Sequence, residues 1–334
     1  MKPRSGPRTK RVTAEDVAKM AGSSRSAVSR AFTPGAYLNA EKRKAILKAA
    51  EELGYRPNAL AASLQAGGSN LVAIFVGEMP NEYDQEVLKH LTTGLCGAGR
   101  WPIVIGGSEE TAREAVSNVL RYPLEAIILR SGSLNEDIVE SCGKLSIPVI
   151  SSGRMLDAPG VDNVSCRNSD GMRRGTIALL GRGRTRFAYI GGPGQFSSSH
   201  WRREGLCQAL SSQNLSLIAE ETGDFTVQSG YDAAARLVQR GEIDALVCAN
   251  DAMAIGALTA LREKGICVPE DISVLGFDDI AMAAWPSFSL TTLRNPIPEL
   301  VAEVVGLLDR RAESPDKPEE QLWLEPELIL RSSH

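Results

Sequence analysis

Arg25, Ser26, Ser29 and Arg30 lie close together in the stretch AGSSRSAVSRAF, residues 21–32. An arginine fork can donate two hydrogen bonds to the O6 and N7 acceptors of guanine, and a serine hydroxyl is short enough to reach base edges or phosphate oxygens. That chemistry recognises a nucleic acid rather than transforming a substrate. A second set of chargeable residues follows a series of apolar runs further along the chain. It comprises Glu78 with the NEYDQE loop, Arg130, Arg154, the GGPGQFSSSHWRRE loop, Asn250 with Asp251, and Asp278 with Asp279. Ligands of open α/β sheets collect beyond the carboxyl ends of the strands, so these residues can bind a small polar molecule if the fold brings them to one level.

Other chemistries lack their residues. Cys96, Cys142, Cys166, Cys207, Cys248 and Cys267 are scattered, with no C-x-x-C pair and no histidine cluster nearby, and read as reduced core cysteines. His90, His200 and His334 are too dispersed for a metal site. GGPG and GRGR lack the spacing of a phosphate cradle, and there is no G-x-S-x-G elbow. No catalysis, cofactor or metal is expected.

The elements that must position the two sets differ in kind. Residues 12 to about 55 have helical periodicity: Thr13 with Asp16 makes a weak variant of a capping box, and TAEDVAKMA stops at Gly22. Ser23 or Ser24 caps a second helix. After TPGAY, Asn39 caps a third that runs to Gly54, with Ala45, Ile46, Ala49, Ala50 and Leu53 along one face. Two helices joined by AGSS fit helix-turn-helix geometry, in which the second helix enters the major groove. Ala27, Val28, Ala31 and Phe32 form its apolar side, and the arginines and serines face away. RPNALAASLQAGGSN follows as a linker holding one or two helical turns, too short to persist in water without packing partners.

From residue 70 the chain alternates helical stretches with apolar runs: LVAIFVG at 71, PIVIGG at 102, EAIILR at 125, IPVISSG at 147, RFAYIGG at 186, DALVCAN at 244 and DISVLGF at 271. Continuous Val/Ile/Leu bursts indicate parallel strands buried on both faces, and so many favour two adjacent subdomains. The expected fold class is α/β: a three-helix helix-turn-helix headpiece and hinge helix, then two doubly wound α/β subdomains.

Charge divides the chain in the same place. Residues 1–66 hold 13 Lys plus Arg against 5 Asp plus Glu, a balance of +8, and the remainder holds 24 against 36, or −12, giving the net −4. A basic head on an acidic body points to an anionic partner, nucleic acid being the commonest; a solvated basic tail is the alternative. The basic N-terminus precedes no apolar signal region, and no apolar run is long enough to cross a bilayer. A cytoplasmic location, with no membrane partner, is expected.

The order VTAEDVAKMAGSSRSAVSRAF, then NAEKRKAILKAAEELGYRPNALAASL, resembles the headpiece of the LacI/GalR transcription repressors, including the tyrosine and proline of GYRPN and the leucine of the hinge. The resemblance runs to near residue 330. It implies a double-stranded DNA operator as partner, with Arg25 and Ser26 reading bases and Ser29 and Arg30 reinforcing base and phosphate contacts. Thr33, Tyr37 and Asn39 become backbone contacts, and Thr13, Ser24 and Asn58 complete the set. Leu64 takes the place of the leucine pushed into the minor groove by paired hinge helices, with Ala61 beside it; a plain flexible linker is the competing view. Ser23 departs from the family, which usually has an apolar residue there, and is expected to loosen the turn's packing.

For the body the resemblance implies a periplasmic-binding-protein-like sensor of a small-molecule effector. Asn250, Asp278 and Arg202 match positions that hold effector polar groups, Phe225 matches an aromatic wall, and Tyr83 a first-loop aromatic. Asp84 stands where purine-binding relatives carry phenylalanine, and Gly153, followed by Arg154, replaces a frequent aspartate. These departures favour a sugar or sugar acid over a purine. Arg130 and Arg154 either clamp a ligand carboxylate or form structural ion pairs with Asp84 or Asp251.

The expected boundaries are a flexible tail over 1–11, the DNA-binding domain over 12–56, the hinge over 57–69, and an effector-binding and dimerisation domain over 70–334. Its N-subdomain takes about 70–166 and 297–324, its C-subdomain about 167–296 and 325–334. The tail LWLEPELILRSSH has no heptad extension, so a homodimer rather than a tail-linked tetramer is expected. A periplasmic sugar-binding protein and a small-molecule enzyme using the same cleft are the rival readings; the headpiece opposes the first.

Overall fold

The computed structural model describes residues 12–33, 35–58, 69–77, 79, 81–107, 109–130 and 136–334. They fall into two units divided between Ser69 and Asn70. The tail expected over 1–11, Glu78, and most of the hinge lie outside the described residues.

The first unit contains α1 (Ala14–Met20), α2 (Arg25–Phe32) and α3 (Ala40–Leu53). Each begins on a side-chain cap. Thr13 Oγ1 accepts the Asp16 amide while the Asp16 carboxylate accepts the Thr13 amide, closing a capping box with aspartate in the third position. Ser24, rather than Ser23, caps α2 through the Ala27 amide, and Asn39 caps α3 through the Lys42 amide. Between α1 and α2 the φ of Gly22 is 58°, a conformation that a Cβ disfavours and that lets the chain reverse within a few residues. Val17, Ala18, Ala27, Val28, Ala31, Ile46, Ala49 and Ala50 form the core. Ala45, expected on this face, is exposed. The seam follows Ile46, Ala49, Ala50 and Leu53 at three- and four-residue steps, and Ala45 sits about 100° away from it.

The second unit contains two six-stranded sheets. The first comprises β1 (Leu71–Gly77), β2 (Trp101–Gly106), β3 (Leu124–Leu129), β4 (Val149–Ser152), β5 (Val161–Cys166) and β11 (Gln321–Leu324). Their spatial order is β11, β5, β4, β3, β1, β2, and all pairs are parallel. The second comprises β6 (Phe187–Gly191), β7 (Ala219–Thr222), β8 (Ala245–Cys248), β9 (Ser273–Asp278), β10 (Thr291–Arg294) and β12 (Glu327–Ile329). Their order is β12, β10, β9, β8, β6, β7, with only β12 antiparallel. Each of the seven apolar runs forms a strand; six are largely buried and so have no solvent side on which to place polar residues, whereas β2 lies at the edge of the first sheet and is mostly not buried.

The helices that matter for the site are α4 (Glu82–Gly97), α7 (Asn168–Gly181), α8 (Ser197–Ser211), α9 (Val227–Arg240), α10 (Asp251–Glu263) and α11 (Ile297–Glu313); α5 (Glu109–Val119) and α6 (Glu136–Lys144) complete the set. The chain passes between the sheets after β5, before α11 and between β11 and β12. α11 packs Leu300, Val304, Leu307 and Leu308 onto Val87, Leu91 and Leu95 of α4, over the first sheet.

Cys142, Cys166 and Cys248 are buried and Cys207 partly so, but Cys96 and Cys267 are exposed, so the expectation of core cysteines fails for two. One closes the solvent side of α4 and the other lies in the loop before β9. Among the described residues no helix is long and apolar enough to cross a membrane, and no cluster of three or more metal-ligating side chains occurs.

Candidate functional site

In the first unit α2 buries Ala27, Val28 and Ala31 and leaves Arg25, Ser26, Ser29 and Arg30 exposed. The Ser24 hydroxyl lies 3.0 Å from that of Ser26, and the Thr33 hydroxyl donates to the Ser29 carbonyl at 3.0 Å. Tyr37 is 92% exposed, and Thr13, Thr33, Asn39 and Asn58 are exposed as well. Thr13, Ser24 and Asn39 already use their side chains as caps, which fixes where the helices begin and leaves the groups on α2 as the freely directed donors. Ala61 and Leu64 lie outside the described residues. Arg43, not singled out in the sequence, donates to the carbonyls of Ala31 at 2.7 Å and Ala36 at 2.6 Å, pinning the end of α2 to α3.

In the second unit a cavity opens beyond the carboxyl ends of strands from both sheets. Tyr83, Asp84, Arg130, Arg154, Arg202, Phe225, Asn250 and Asp278 all line it. Tyr83 and Asp84 come from the first turn of α4, Arg130 from the end of β3 and Arg154 from beyond β4. Arg202 projects from α8, Phe225 precedes α9, Asn250 caps α10 and Asp278 ends β9.

Asp251 and Asp279 follow the same apolar runs but turn away from the cavity. Asp251 accepts the Thr292 hydroxyl at 2.5 Å and the Ile280 amide at 3.0 Å. Asp279 receives Arg294 at 2.7 Å and Arg331 at 2.6 Å.

Arg202 is the centre of the wall. It donates to Asn168 Oδ1 at 2.8 Å, the Ala249 carbonyl at 2.6 Å and Asp278 Oδ1 at 3.2 Å, and it stacks 3.7 Å from the Phe277 ring centroid. Asn295 adds a second hydrogen bond to Asp278 Oδ1 at 2.8 Å. Even so, burial pushes the Asp278 carboxyl up to about 6, with the Arg202 charge opposing and the Asp84 charge adding to the shift. Burial also raises Asp84, against the pull of Arg130 at 3.7 Å, and raises the Tyr83 phenol. It lowers the half-buried Arg154 guanidinium.

The backbone at this corner is unusual. Asp278 has φ of 122° and Asp279 of 57°, conformations costing on the order of 1–3 kcal/mol where a side chain is present. The flanking arginines hold both carboxylates and hence the corner. Phe225, at φ of 69°, meets Phe196 edge-on at 5.6 Å across the mouth of α8.

Asn168, Phe196, Ser197, Ser198 and Asn295 also line the cavity and were not named from the sequence. The two asparagines follow β5 and β10, strands whose composition hid them. Phe196 and the serines fall within the flagged GGPGQFSSSHWRRE loop, which was the signal available for them.

Residues 13–58 match the profile of the bacterial regulatory proteins of the lacI family, and residues 177–334 match the periplasmic binding protein-like domain. The HTH-type transcriptional regulator AscG of Escherichia coli K12 is 32% identical over 301 residues, spanning 88% of this chain and 90% of its own. The complex of the transcriptional regulator CelR with cellobiose is similar at 28% identity and a TM-score of 0.73, over 97% of this chain and 100% of that one. The lac repressor dimer bound to operator and the anti-inducer ONPF is similar at 26% identity and a TM-score of 0.88, over 97% and 99%. With the headpiece profile and this identity across most of its length, the chain belongs to the lacI family and is a DNA-binding transcription regulator rather than an enzyme.

Proposed function

We propose that this regulator is a ligand-responsive repressor of genes for carbohydrate or sugar-acid metabolism, acting in the cytoplasm as a homodimer on a pseudo-palindromic operator. The cavity carries the reading. Its lining comes from both sheets, so a bound molecule bridges them and favours one setting of the two halves, a population shift between DNA-competent and incompetent states. Asp278, Asn250 and Arg202 beside the Phe225 ring suit a ring bearing hydroxyls, and the similar CelR structure carries cellobiose.

In this reading residues 12–56 bind DNA, 57–69 form the hinge, and 70–334 bind effector and dimerise. Arg25 and Ser26 read bases with Ser29 and Arg30, while Thr13, Ser24, Thr33, Tyr37, Asn39 and Asn58 hold the backbone. Leu64 enters the minor groove, with Ala61 beside it. The dimer is supported by the operator-bound lac repressor dimer, and by Trp101 and Val104, which stand 59% and 44% exposed on edge strand β2.

Fluorescence anisotropy on operator-library DNA tests the proposal. Specific binding should weaken steeply between about 50 and 200 mM salt as phosphate contacts release counterions, and one sugar or sugar acid should change it at fixed salt. Absence of DNA binding at low salt, with or without sugars, sinks the reading.

A further inference from the structure

Two tryptophans meet between the halves of the second unit. Trp201 lies near the start of α8, which packs Leu206 and Leu210 into the core of the second sheet, and Trp323 lies in β11, an edge strand of the first. Their rings stand edge to face, with centroids 5.7 Å apart and planes at 62°. Trp323 does not serve the core of its own sheet. Leu322 and Leu324 turn inward to the cluster under α4 and α11, and strand alternation sends Trp323 to the other face, where it is 38% exposed. Its partners come from across the boundary instead: the Trp201 ring, and the Arg167 guanidinium 5.7 Å from its centroid.

Arg167 immediately follows β5 and Glu325 immediately follows β11, so both stand where the chain passes between the sheets. The Arg167 amide donates to the Leu324 carbonyl at 2.8 Å and its guanidinium pairs with Glu325 at 2.9 Å, which ties these two passages side by side. Residues at the ends of elements are where a hinge absorbs its motion. Trp201 is on no passage: it reaches Trp323 from the body of the other half, so a rotation about the passages displaces one ring against the other. Edge-on pairs are favoured only while the centroids lie about 4.5–7 Å apart, and a displacement of a few ångström forfeits the contact. The same helix faces the cavity. Arg202, next to Trp201, builds the wall with Asp278 and Asn168, and Ser197 and Ser198 line the cavity from the first turn of α8. A ligand that shifts α8 is therefore felt at Trp201.

We infer that the Trp201–Trp323 contact is a clasp on the setting of the two halves: it is made in the setting seen here and lost in another, and so fixes part of the balance that the effector shifts. The link to the effector rests on the reading of the cavity as the effector site; the clasp itself does not. The strength of an aromatic pair corresponds to a change of about 2- to 10-fold in the population of this setting.

The exposed cysteines supply the probe, because Cys96 ends α4 over the first sheet and Cys267 lies in the loop before β9 of the second. Spin labels on both, in the full chain carrying Cys207→Ser and diluted with unlabelled chain, report the distance between the halves by pulsed electron resonance. It is measured without ligand, then with glucose, galactose, cellobiose, galacturonate or gluconate. Trp201→Leu and Trp323→Leu should each shift the ligand-free populations by about 2- to 10-fold in the same direction. The double variant should go no further than either single one, since both remove one contact, and Trp323→Phe, which keeps a ring, should restore most of the wild-type distribution. Melting temperatures report that all four variants fold. Ligand-free distributions left unchanged by both leucine variants, or a double variant in which the two shifts add, overturn the inference and leave the sugar-sensing function standing. If the leucine variants move the halves and no sugar or acid does, the clasp stands and the effector reading fails.

Discussion

Ser23 buries its hydroxyl in the turn between α1 and α2 without a hydrogen-bond partner among the described residues. A buried hydroxyl stripped of water and left unbonded costs free energy that an apolar group of the same size does not. Ser23→Ala should therefore stabilise the headpiece by about 1 kcal/mol, seen as stronger protection of the Val17, Val28 and Ile46 amides against hydrogen exchange. Unchanged or weaker protection would mean that the hydroxyl finds a partner in solution. Asp251 presents the charged version of the problem. Burial, with the nearby Asp278 charge, pushes its carboxyl up to about 8, against the help of Thr292 and the Ile280 amide. A carboxyl raised on folding contributes stability that is fully present below its unfolded value near 4 and is lost as pH rises toward 8. Asp251→Asn should flatten that decline, because the Thr292 hydroxyl can turn from donor to acceptor while the Ile280 amide keeps the amide oxygen. Melting temperatures of both proteins between pH 4 and pH 9 decide it: parallel curves refute the assignment, and the mutant should gain most at high pH.

At the scale of elements, α2 exposes the groups proposed to read bases, and Arg43 of α3 holds the end of that helix. Arg25→Ala should relax base preference at one operator position at a cost of roughly 1–3 kcal/mol. Arg43→Ala, by releasing the carbonyls of Ala31 and Ala36, should weaken binding to all operators alike. Selection against a randomised operator library separates the two, and an Arg25 variant with unaltered base preference rejects its reading role. The headpiece was legible because its signals are local: caps at Thr13, Ser24 and Asn39 and apolar residues at three- and four-residue steps need no knowledge of the rest of the fold. Six of the seven apolar strands were legible because burial on both faces leaves a continuous run; β2, at the sheet edge, was legible although Trp101 and Val104 are exposed. β5, VDNVSC, was not: it is wholly buried yet half polar. Its Asp162 is neutralised from far along the chain, by Arg311 at 2.8 Å and Lys317 at 2.9 Å, and its Asn163 closes on the backbone of Leu156. β7 hid its pattern in glutamates that pair with Arg203, Arg236 and Arg240 across its face. Of the cavity residues that went unnamed, Asn168 comes after β5, concealed in this way, and Asn295 follows β10, TTLR, which has no apolar run. Strand ends could be read only where the strands could.

Across the second unit, the three passages between sheets are laced by ion pairs that reach back to the cavity. Glu325, between β11 and β12, takes Arg167 at 2.9 Å and Arg174 at 3.2 Å. Arg294, at the second passage, joins Glu327 at 3.0 Å and Asp279 at 2.7 Å, and Arg331 closes on Asp279 at 2.6 Å. Asp279 adjoins Asp278, so a ligand that engages Asp278 pulls on the corner that these arginines hold. The two carboxylates nevertheless differ in worth, since the Asp279 side chain is 7% exposed and that of Glu325 59%. Exposed pairs contribute about 0–1 kcal/mol, whereas a buried carboxylate removed from two arginines leaves cations without their counter-charge. Asp279→Asn should therefore loosen the corner and raise the effector concentration needed for half-maximal operator response by roughly 3- to 30-fold, while Glu325→Gln should raise it by less than about 3-fold. Neither residue lines the cavity, so the effect would travel through the position of Asp278 rather than through a lost ligand contact. Operator release titrated with effector in the two variants tests the ordering. Equal shifts, or a larger one for Glu325→Gln, would place the coupling between cavity and DNA outside this corner.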